Sequence, residues 1–149
     1  MDEIVNKLRE LVGQEVGVSE WMEITQERVN AFADATDDHQ WIHVDRGRAA
    51  RSPFGGTIAH GFLTLSLVVP LAGQVSLDVG EPRMGINYGL DRVRFPAPVP
   101  VGSRIRARVR LDAVEEVAGG IQVKRTVTME VEGSEKPAMV AETLSRYYY

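Results

Sequence analysis

The sequence predicts an α+β fold, in which helices come first and an antiparallel sheet follows. Apolar residues recur at helical spacing in the first half of the chain, whereas residues 103–131 alternate between apolar and polar side chains. Between these two parts, residues 60–76 are apolar on nearly every side of a helical wheel. We therefore expect a sheet with one face to cover and a single apolar helix that covers it.

Two helices are predicted in the first part of the chain. Residues 2–12 carry apolar side chains at i, i+4, i+7 and i+8, and Gly13 suits the position just past a helix end. Thr25 is expected to cap the second helix, because its hydroxyl can accept a hydrogen bond from a first-turn amide. That helix leads into residues 37–43 (DDHQWIH). Residues 51–56 (RSPFGG) are expected to be irregular, since proline and paired glycines favour turns.

The apolar helix over residues 60–76 is expected to be buried, because a helix that is apolar all round has no face for water. Pro70 lies inside it. A proline removes one backbone hydrogen bond and collides with the preceding turn, so the helix either bends or ends near residue 69. We expect the bend.

The second half of the chain reads as strands. In residues 103–111 four arginines alternate strictly with apolar residues, which predicts a strand with one wet and one buried face. Residues 121–131 repeat the pattern, except that Arg125 occupies the apolar face. Gly119 and Gly120 mark a hairpin between the two strands. Weaker alternation predicts two further strands over residues 88–95 and 138–147.

Length and composition exclude several classes of protein. At 149 residues, the chain is expected to form a single domain over residues 1–149, since that length supports one core. It has no cysteine, which excludes disulfides, thiolate metal sites and cysteine nucleophiles. No segment approaches the roughly 20 apolar residues of a membrane span, and the first residues are acidic, unlike a signal peptide. With a net charge of −4 and no basic block, we expect a cytoplasmic protein that binds neither nucleic acid nor membrane.

The segment DDHQWIH is the first candidate for chemistry. It holds two of the three histidines of the chain, and the third, His60, lies 17 positions after His43. Histidine exchanges protons near neutral pH and works best beside a carboxylate, so Asp38 and His43 form a candidate acid/base pair. The two meet only if the chain folds back between them. The competing interpretation is that Asp37 and Asp38 bond local backbone at a helix end while the histidines are solvated.

A metal site is a further alternative for the same segment. His39 and His43 would share a face of a helix, with Asp38 or His60 completing the ligand set. The intervening Glu of an HExxH zinc motif is missing, so we expect no metal and no cofactor.

Residues 55–61 (GGTIAHG) lead directly into the apolar helix. The first turn of a helix has unpaired N–H groups, so the backbone N–H of Gly61 could stabilise a developing oxyanion. Alternatively, Gly55 and Gly56 only turn the chain and His60 caps locally.

Together, residues 38–45 (DHQWIHVD) and 53–62 (PFGGTIAHGF) resemble the MaoC-like dehydratase family, which includes the (R)-specific enoyl-CoA hydratases. Residues 87–96 (NYGLDRVRFP) are similar to the branch of that family named after the nodulation protein NodN. The resemblance covers most of the chain. It departs from the D-x-N-P-x-H pattern of many (R)-hydratases, because Gln40 and Trp41 stand in place of Asn and Pro.

The resemblance implies a hot-dog fold, in which an antiparallel sheet wraps around one long apolar helix, and usually a homodimer. It also implies Asp38 and His43 as the catalytic pair and the Gly61 N–H as the oxyanion donor. The substrate would be an enoyl or 3-hydroxyacyl thioester of coenzyme A or of acyl carrier protein. Substrate contacts are expected from four residues: Gly56, His60, Arg92 and Arg94.

The arginines of residues 104–110 are further candidates for phosphate contacts, although alternating arginines are more often the wet face of a strand. Three functions are compatible with the residues. They are a hydratase/dehydratase, which we favour, a hot-dog thioesterase in which Asp38 activates water, and a non-catalytic acyl-thioester binding subunit.

Overall fold

A six-stranded antiparallel sheet forms one layer of the protein in the computed structural model, which describes all residues from Met1 to Tyr149. The strands are β1 (Glu15–Val18), β2 (Met22–Glu23), β3 (Met84–Arg94), β4 (Arg104–Val117), β5 (Gly120–Val131) and β6 (Met139–Tyr148). Their order is β1-β4-β5-β6-β3, and β2 also pairs with β4. The long strand β3 pairs with β6 alone, so its other side is an open edge.

The helices occupy the first half of the chain, as predicted. They are α1 (Asp2–Glu10), α2 (Gln26–Thr36), α3 (Trp41–Val44), α4 (Arg46–Ala50), α5 (Gly61–Ser66) and α6 (Val68–Ala72). The hydroxyl of Thr25 accepts a hydrogen bond from the backbone N–H of Arg28, which confirms the predicted cap of α2. None of these helices is long and apolar enough to cross a lipid bilayer.

Strands β4 and β5 form the predicted hairpin. Their pairing runs from Ile105 opposite Val131 to Val117 opposite Gly120, and Gly119 in the turn has a φ of 78°. The apolar residues of the alternating part of β4 are fully buried, namely Ile105, Ala107, Val109 and Leu111. The alternating arginines lie on the other face, where each has an acidic partner. This row is therefore the wet face of the strand, and its guanidinium groups are already paired.

The central helix differs from the prediction in length and in exposure. It ends at Ala72 rather than at residue 76, and it is divided at Leu67 into α5 and α6. The break precedes Pro70 by one turn, because proline cannot donate to the carbonyl of the residue four positions before it, here Ser66. The helix is also not buried all round, since Phe62 is 69% and Val69 61% exposed.

The core lies between this helix pair and the inner face of the sheet. One cluster of 19 buried residues joins α5 and α6 to apolar side chains of β4, β5 and β6. A second cluster of six buried residues joins Val5 and Leu8 of α1 to apolar side chains of β4 and β5. The helix pair thus covers one face of the sheet, as expected from the sequence, and the segment that precedes α5 is placed beside the end of α2.

Candidate active site

The end of α2 folds the chain back toward the site. Asp37 adopts a left-handed conformation with φ of 56°, and the backbone N–H of Asp38 bonds the carbonyl of Ala33 at 3.2 Å. This reversal brings Asp38 and His43 together: a carboxylate oxygen of Asp38 and a ring nitrogen of His43 lie within 4.8 Å. His43 lies on the short helix α3 rather than on a loop.

Hydrogen bonds hold His43 both at its ring and at its backbone. Its Nδ1 lies 2.7 Å from the carbonyl oxygen of Ile58, and a carbonyl only accepts, so Nδ1 carries the proton and Nε2 keeps the lone pair. The backbone carbonyl of His43 accepts a hydrogen bond of 2.8 Å from the Gln26 side chain. The Gln26 amide oxygen in turn accepts from the hydroxyl of Thr57 at 2.6 Å. The neutral ring is therefore held with Nε2 available as a base.

His60 completes the cluster from the segment before α5. Its ring stacks on that of His43, with centroids 3.8 Å apart, and the tilted ring of Phe32 lies 4.9 Å from it. The Nε2–H of His60 donates to the backbone carbonyl of Asp38 at 2.9 Å, while the Asp38 carboxylate lies 4.0 Å away. The Nδ1 of His60 is buried without a partner. His60 therefore connects the two residues of the predicted pair.

Burial decides the charge state of His43. The side chain is only 6% exposed, and loss of hydration lowers its pKa below the ordinary value of 6.5. The hydrogen bond to the Ile58 carbonyl opposes this shift, the nearby His60 adds to it, and the charge of Asp38 opposes it. The net direction is downward, so His43 is neutral at pH 7.

A cavity of about 370 Å³ opens beside His43. It is otherwise lined mainly by apolar residues, among them Ile42, Phe54, Ile58, Phe95 and Val99. Gly61, the first residue of α5, also lines it, and a Cβ there would approach the Phe95 ring to 3.2 Å. An N–H in the first helical turn has no acceptor within the helix. The cavity thus joins a base, a polar N–H and an apolar wall.

The metal alternative fits the geometry poorly. His39 does not join the cluster but pairs with Asp34 on the surface, at 2.8 Å. The remaining ligand set would be Asp38, His43 and His60. Two imidazoles bind one ion with their nitrogens converging on it at about 2.0–2.1 Å. The rings of His43 and His60 are stacked with only 23° between their planes, so their in-plane lone pairs do not converge.

The other predicted substrate contacts lie apart from this cavity. Gly56 lines a separate, polar cavity of about 580 Å³ together with Arg46, and Phe54 borders both cavities. Arg92 and Arg94 are exposed on β3 and line neither of them. Arg94 donates to the carbonyl of Val93.

Sequence reasoning missed the residues that support the cluster. Gln26 and Phe32 belong to no motif, and Thr57 lies in the segment GGTIAHG without being singled out there. All three act through contacts across 17 to 31 positions of chain. The adjacency of His60 and His43 was signalled only by the clustering of the three histidines. Arg46 was missed as well, because an isolated arginine at a helix start has no distinguishing pattern.

Comparisons with known proteins identify the family of this chain. A family model described as the MaoC like domain matches residues 7–133. The 3-hydroxyacyl-thioester dehydratase Z of Mycobacterium tuberculosis is 57% identical over 97% of this chain and 96% of its own length. The nodulation protein N of Rhizobium meliloti is 50% identical over 91% of this chain and 85% of its own.

A solved structure extends the likeness to the fold. The (R)-hydratase from A. caviae involved in PHA biosynthesis is 27% identical, with a TM-score of 0.74 over 90% of this chain and 96% of that one. The hot-dog fold predicted from the sequence is thereby confirmed. The chain belongs to the MaoC-like domain family and is an enzyme of its hydratase and dehydratase class.

Proposed function

We propose that the protein is an (R)-specific hydratase of trans-2-enoyl thioesters, which also catalyses the reverse dehydration of (R)-3-hydroxyacyl thioesters. The observation that carries this proposal is the pairing of the Asp38 carboxylate with the oriented, neutral ring of His43 beside the cavity that Gly61 lines. The names of the mycobacterial dehydratase and of the A. caviae hydratase support the same reaction in either direction.

The chemistry follows from these groups. Asp38 and His43 bind a water molecule, and its oxygen forms a bond to C3 of the enoyl group while one of the pair accepts its proton. The pair then returns that proton to C2, and the negative charge that develops meanwhile on the thioester oxygen is stabilised by the N–H of Gly61. Such acid/base help contributes about 10²–10⁴-fold, and one oxyanion donor about 10²–10³-fold.

The coenzyme A portion is proposed to leave the reaction cavity past Phe54. This ring borders both the His43 cavity and the polar cavity that contains Gly56 and Arg46. A phosphate prefers a guanidinium donor, and Arg46 has no acidic partner within salt-bridge distance. Arg92 and Arg94 remain proposed phosphate contacts on β3, outside that path. An acyl carrier protein could present the same thioester.

A homodimer is proposed from the open edge of the sheet. Strand β3 has 11 residues with one unpaired side, and an unpaired edge pairs readily with another chain. Exposed Phe62 and Tyr88 lie on or next to this side of the molecule, at 69% and 51% exposure. Sedimentation of the purified protein tests the proposal, which fails if the protein is a monomer at micromolar concentration.

The proposed reaction is tested by product analysis with crotonyl-CoA. Hydration consumes the enoyl absorbance and yields (R)-3-hydroxybutyryl-CoA without free thiol. Release of coenzyme A thiol in proportion to turnover would instead establish the thioesterase alternative. Binding of crotonyl-CoA by folded protein without any conversion, also with a longer enoyl-CoA, would support a non-catalytic subunit.

A further inference from the structure

Thr64 lies one turn into α5 and lines the same cavity as His43 and Gly61. Of the residues around this cavity, only His43 and Thr64 have polar side chains. Thr64 is buried, with 2% of its surface exposed. The reaction proposed above does not use its hydroxyl. The cavity therefore contains a polar side chain whose role is unassigned, on the helix that also supplies the proposed oxyanion donor.

The Thr64 hydroxyl forms no hydrogen bond with another group of the protein. A hydroxyl in a helix can bond the carbonyl four positions earlier, as the side chains of Thr36 and Ser66 do. For Thr64 that carbonyl belongs to His60, and it already accepts the backbone N–H groups of Leu63 and Thr64, at 3.1 and 3.2 Å. A carbonyl oxygen has two lone pairs, so this acceptor is fully used.

The Thr64 hydroxyl is nevertheless open to the cavity. The fully buried polar side-chain atoms without a partner are the Nδ1 of His60 and the Nε of Arg125, and the hydroxyl of Thr64 is not among them. The small accessible part of Thr64 therefore includes its hydroxyl, which faces the cavity that the residue lines. A polar group in apolar surroundings costs free energy unless it is hydrogen-bonded. A ligand in the cavity can supply the missing partner.

The position of Thr64 on α5 directs its side chain toward Gly61. Gly61 precedes Thr64 by three positions, and residues three apart lie on one face of a helix with Cβ positions about 5–6 Å apart. Helical side chains lean toward the N-terminal end of their helix, so Thr64 covers the turn that begins at Gly61. Gly61 has no side chain to occupy that place. The hydroxyl of Thr64 is thereby brought next to the position of the thioester oxygen.

We propose that the Thr64 hydroxyl donates a second hydrogen bond to the thioester oxygen, beside the N–H of Gly61, and is a further catalytic residue. This role rests on the reaction proposed above, since it concerns the same substrate oxygen. A hydroxyl rotates to meet its acceptor. The bond strengthens as negative charge develops, because a hydrogen bond to a charged acceptor is worth more than one to a neutral acceptor. Two donors also hold the oxygen in place relative to the Asp38–His43 pair.

Thr64→Val removes the hydroxyl at nearly constant size, and hydration of crotonyl-CoA measures the effect. We expect kcat to fall about 10- to 100-fold, the effect of losing a hydrogen bond to a charged oxygen. The KM should change less than kcat, because the bond to the neutral carbonyl of bound substrate is weaker. Thr64→Ser keeps the hydroxyl and should retain a kcat near that of the wild type. Thr128→Val makes the same substitution on the wet face of β5 and should leave kcat unchanged.

Thr64→Val is expected to fold, because a hydroxyl without a partner in the protein adds no hydrogen bond to its stability. Circular dichroism verifies the folding of each variant. Thr64→Ala removes the same hydroxyl with a smaller side chain, and its kcat should fall as in Thr64→Val. A wild-type kcat in folded Thr64→Val and Thr64→Ala would overturn the proposal. An equal loss of kcat in Thr64→Ser would also overturn it, since that result assigns the effect to the shape of the cavity wall.

Infrared difference spectroscopy of bound butyryl-CoA, labelled with ¹³C at the carbonyl, tests the contact without turnover, because a saturated thioester cannot be hydrated. The carbonyl stretching frequency is expected to be lower in the wild type, Thr64→Ser and Thr128→Val than in Thr64→Val. Equal frequencies in wild type and Thr64→Val, together with a reduced kcat in the variant, would overturn the proposal and assign the hydroxyl to the C3 side of the substrate. If the wild type hydrates no enoyl thioester but shows this frequency difference, the proposed reaction fails while the hydrogen bond stands.

Discussion

The imidazole rings of His43 and His60 stack with their centroids 3.8 Å apart and their planes 23° from parallel. One face of the proposed base is thereby held by a second histidine, whose Nε2–H also bonds the backbone carbonyl of Asp38. His60 therefore acts on both members of the pair without itself lining the cavity. This makes His60 a positioning residue. Its loss should change kcat, which reports the reaction of bound substrate, rather than KM.

His60→Phe is expected to preserve the stacking and to lose the hydrogen bond to the Asp38 carbonyl. Misplacement of a reacting group by about 1 Å can cost on the order of 10²-fold in rate, so we expect kcat to fall by about that factor while KM stays near the wild-type value. His39→Ala serves as the control, because His39 pairs with Asp34 on the surface. A higher KM with unchanged kcat would contradict the positioning role.

Gln26→Met should destabilise the fold around the site. The Gln26 side chain bonds both the His43 carbonyl and the Thr57 hydroxyl, and Thr57 is only 7% exposed. A buried polar group left without its partner costs about 1–3 kcal/mol. Urea denaturation measures this loss as a lower midpoint at an unchanged m-value. Gln14→Met, which removes one exposed hydrogen bond at the end of α1, is the matched control and should change the midpoint little.

The stability of the protein should fall in mild acid because of His43. Burial lowers the pKa of His43 in the folded protein below its ordinary value of 6.5. As the pH falls below 6.5, the unfolded chain therefore binds a proton at this residue before the folded chain does. Stability is therefore fully present above pH 6.5 and decreases below it, by at most about 1.4 kcal/mol per pH unit for one proton. The measurement is the urea midpoint at pH 7.5 and pH 5.5. His43→Gln should lose less stability over this interval than the wild type, and an equal loss would assign the effect to other groups.

Arg46→Met tests the proposed path of the coenzyme. If phosphate groups reach the polar cavity beyond Phe54, loss of Arg46 should raise KM for an enoyl-CoA several-fold, with a weaker effect on an enoyl-pantetheine that lacks the nucleotide. Arg94→Met tests the alternative contact on β3 in the same assay. A higher KM in Arg94→Met alone would place the nucleotide on β3 and would contradict the path past Phe54.

Much of the fold could be predicted because its signals are local. The Thr25 cap and the hairpin at Gly119 depend on neighbours within a few positions. The alternation of apolar and polar residues in β4 predicts which face of the strand is buried. The two short helices α3 and α4 were not predicted, since four or five residues are too few for a helical period. The break at Leu67 lies one turn before Pro70, because the missing hydrogen bond belongs to the residue four positions earlier.

The proximity of Asp38 and His43 was predictable from the sequence, whereas the contacts that support them were not. The spacing of Asp38 and His43 indicated a pair, but only the left-handed turn at Asp37 shows how the chain brings them together. The contact between Gln26 and Thr57 spans 31 positions and leaves no periodic signal. Arg125 was visible from the sequence as an interruption of an apolar row, and the structure places it on β5.

The measurement that tests the central claim most directly is hydration of crotonyl-CoA by the wild type, Asp38→Asn and His43→Ala, with circular dichroism of each protein to verify folding. We expect (R)-3-hydroxybutyryl-CoA from the wild type and turnover reduced by at least about 10²-fold in both variants at unchanged folding. Near-wild-type turnover in a folded Asp38→Asn or His43→Ala would contradict the assignment of this pair as the acid/base machinery.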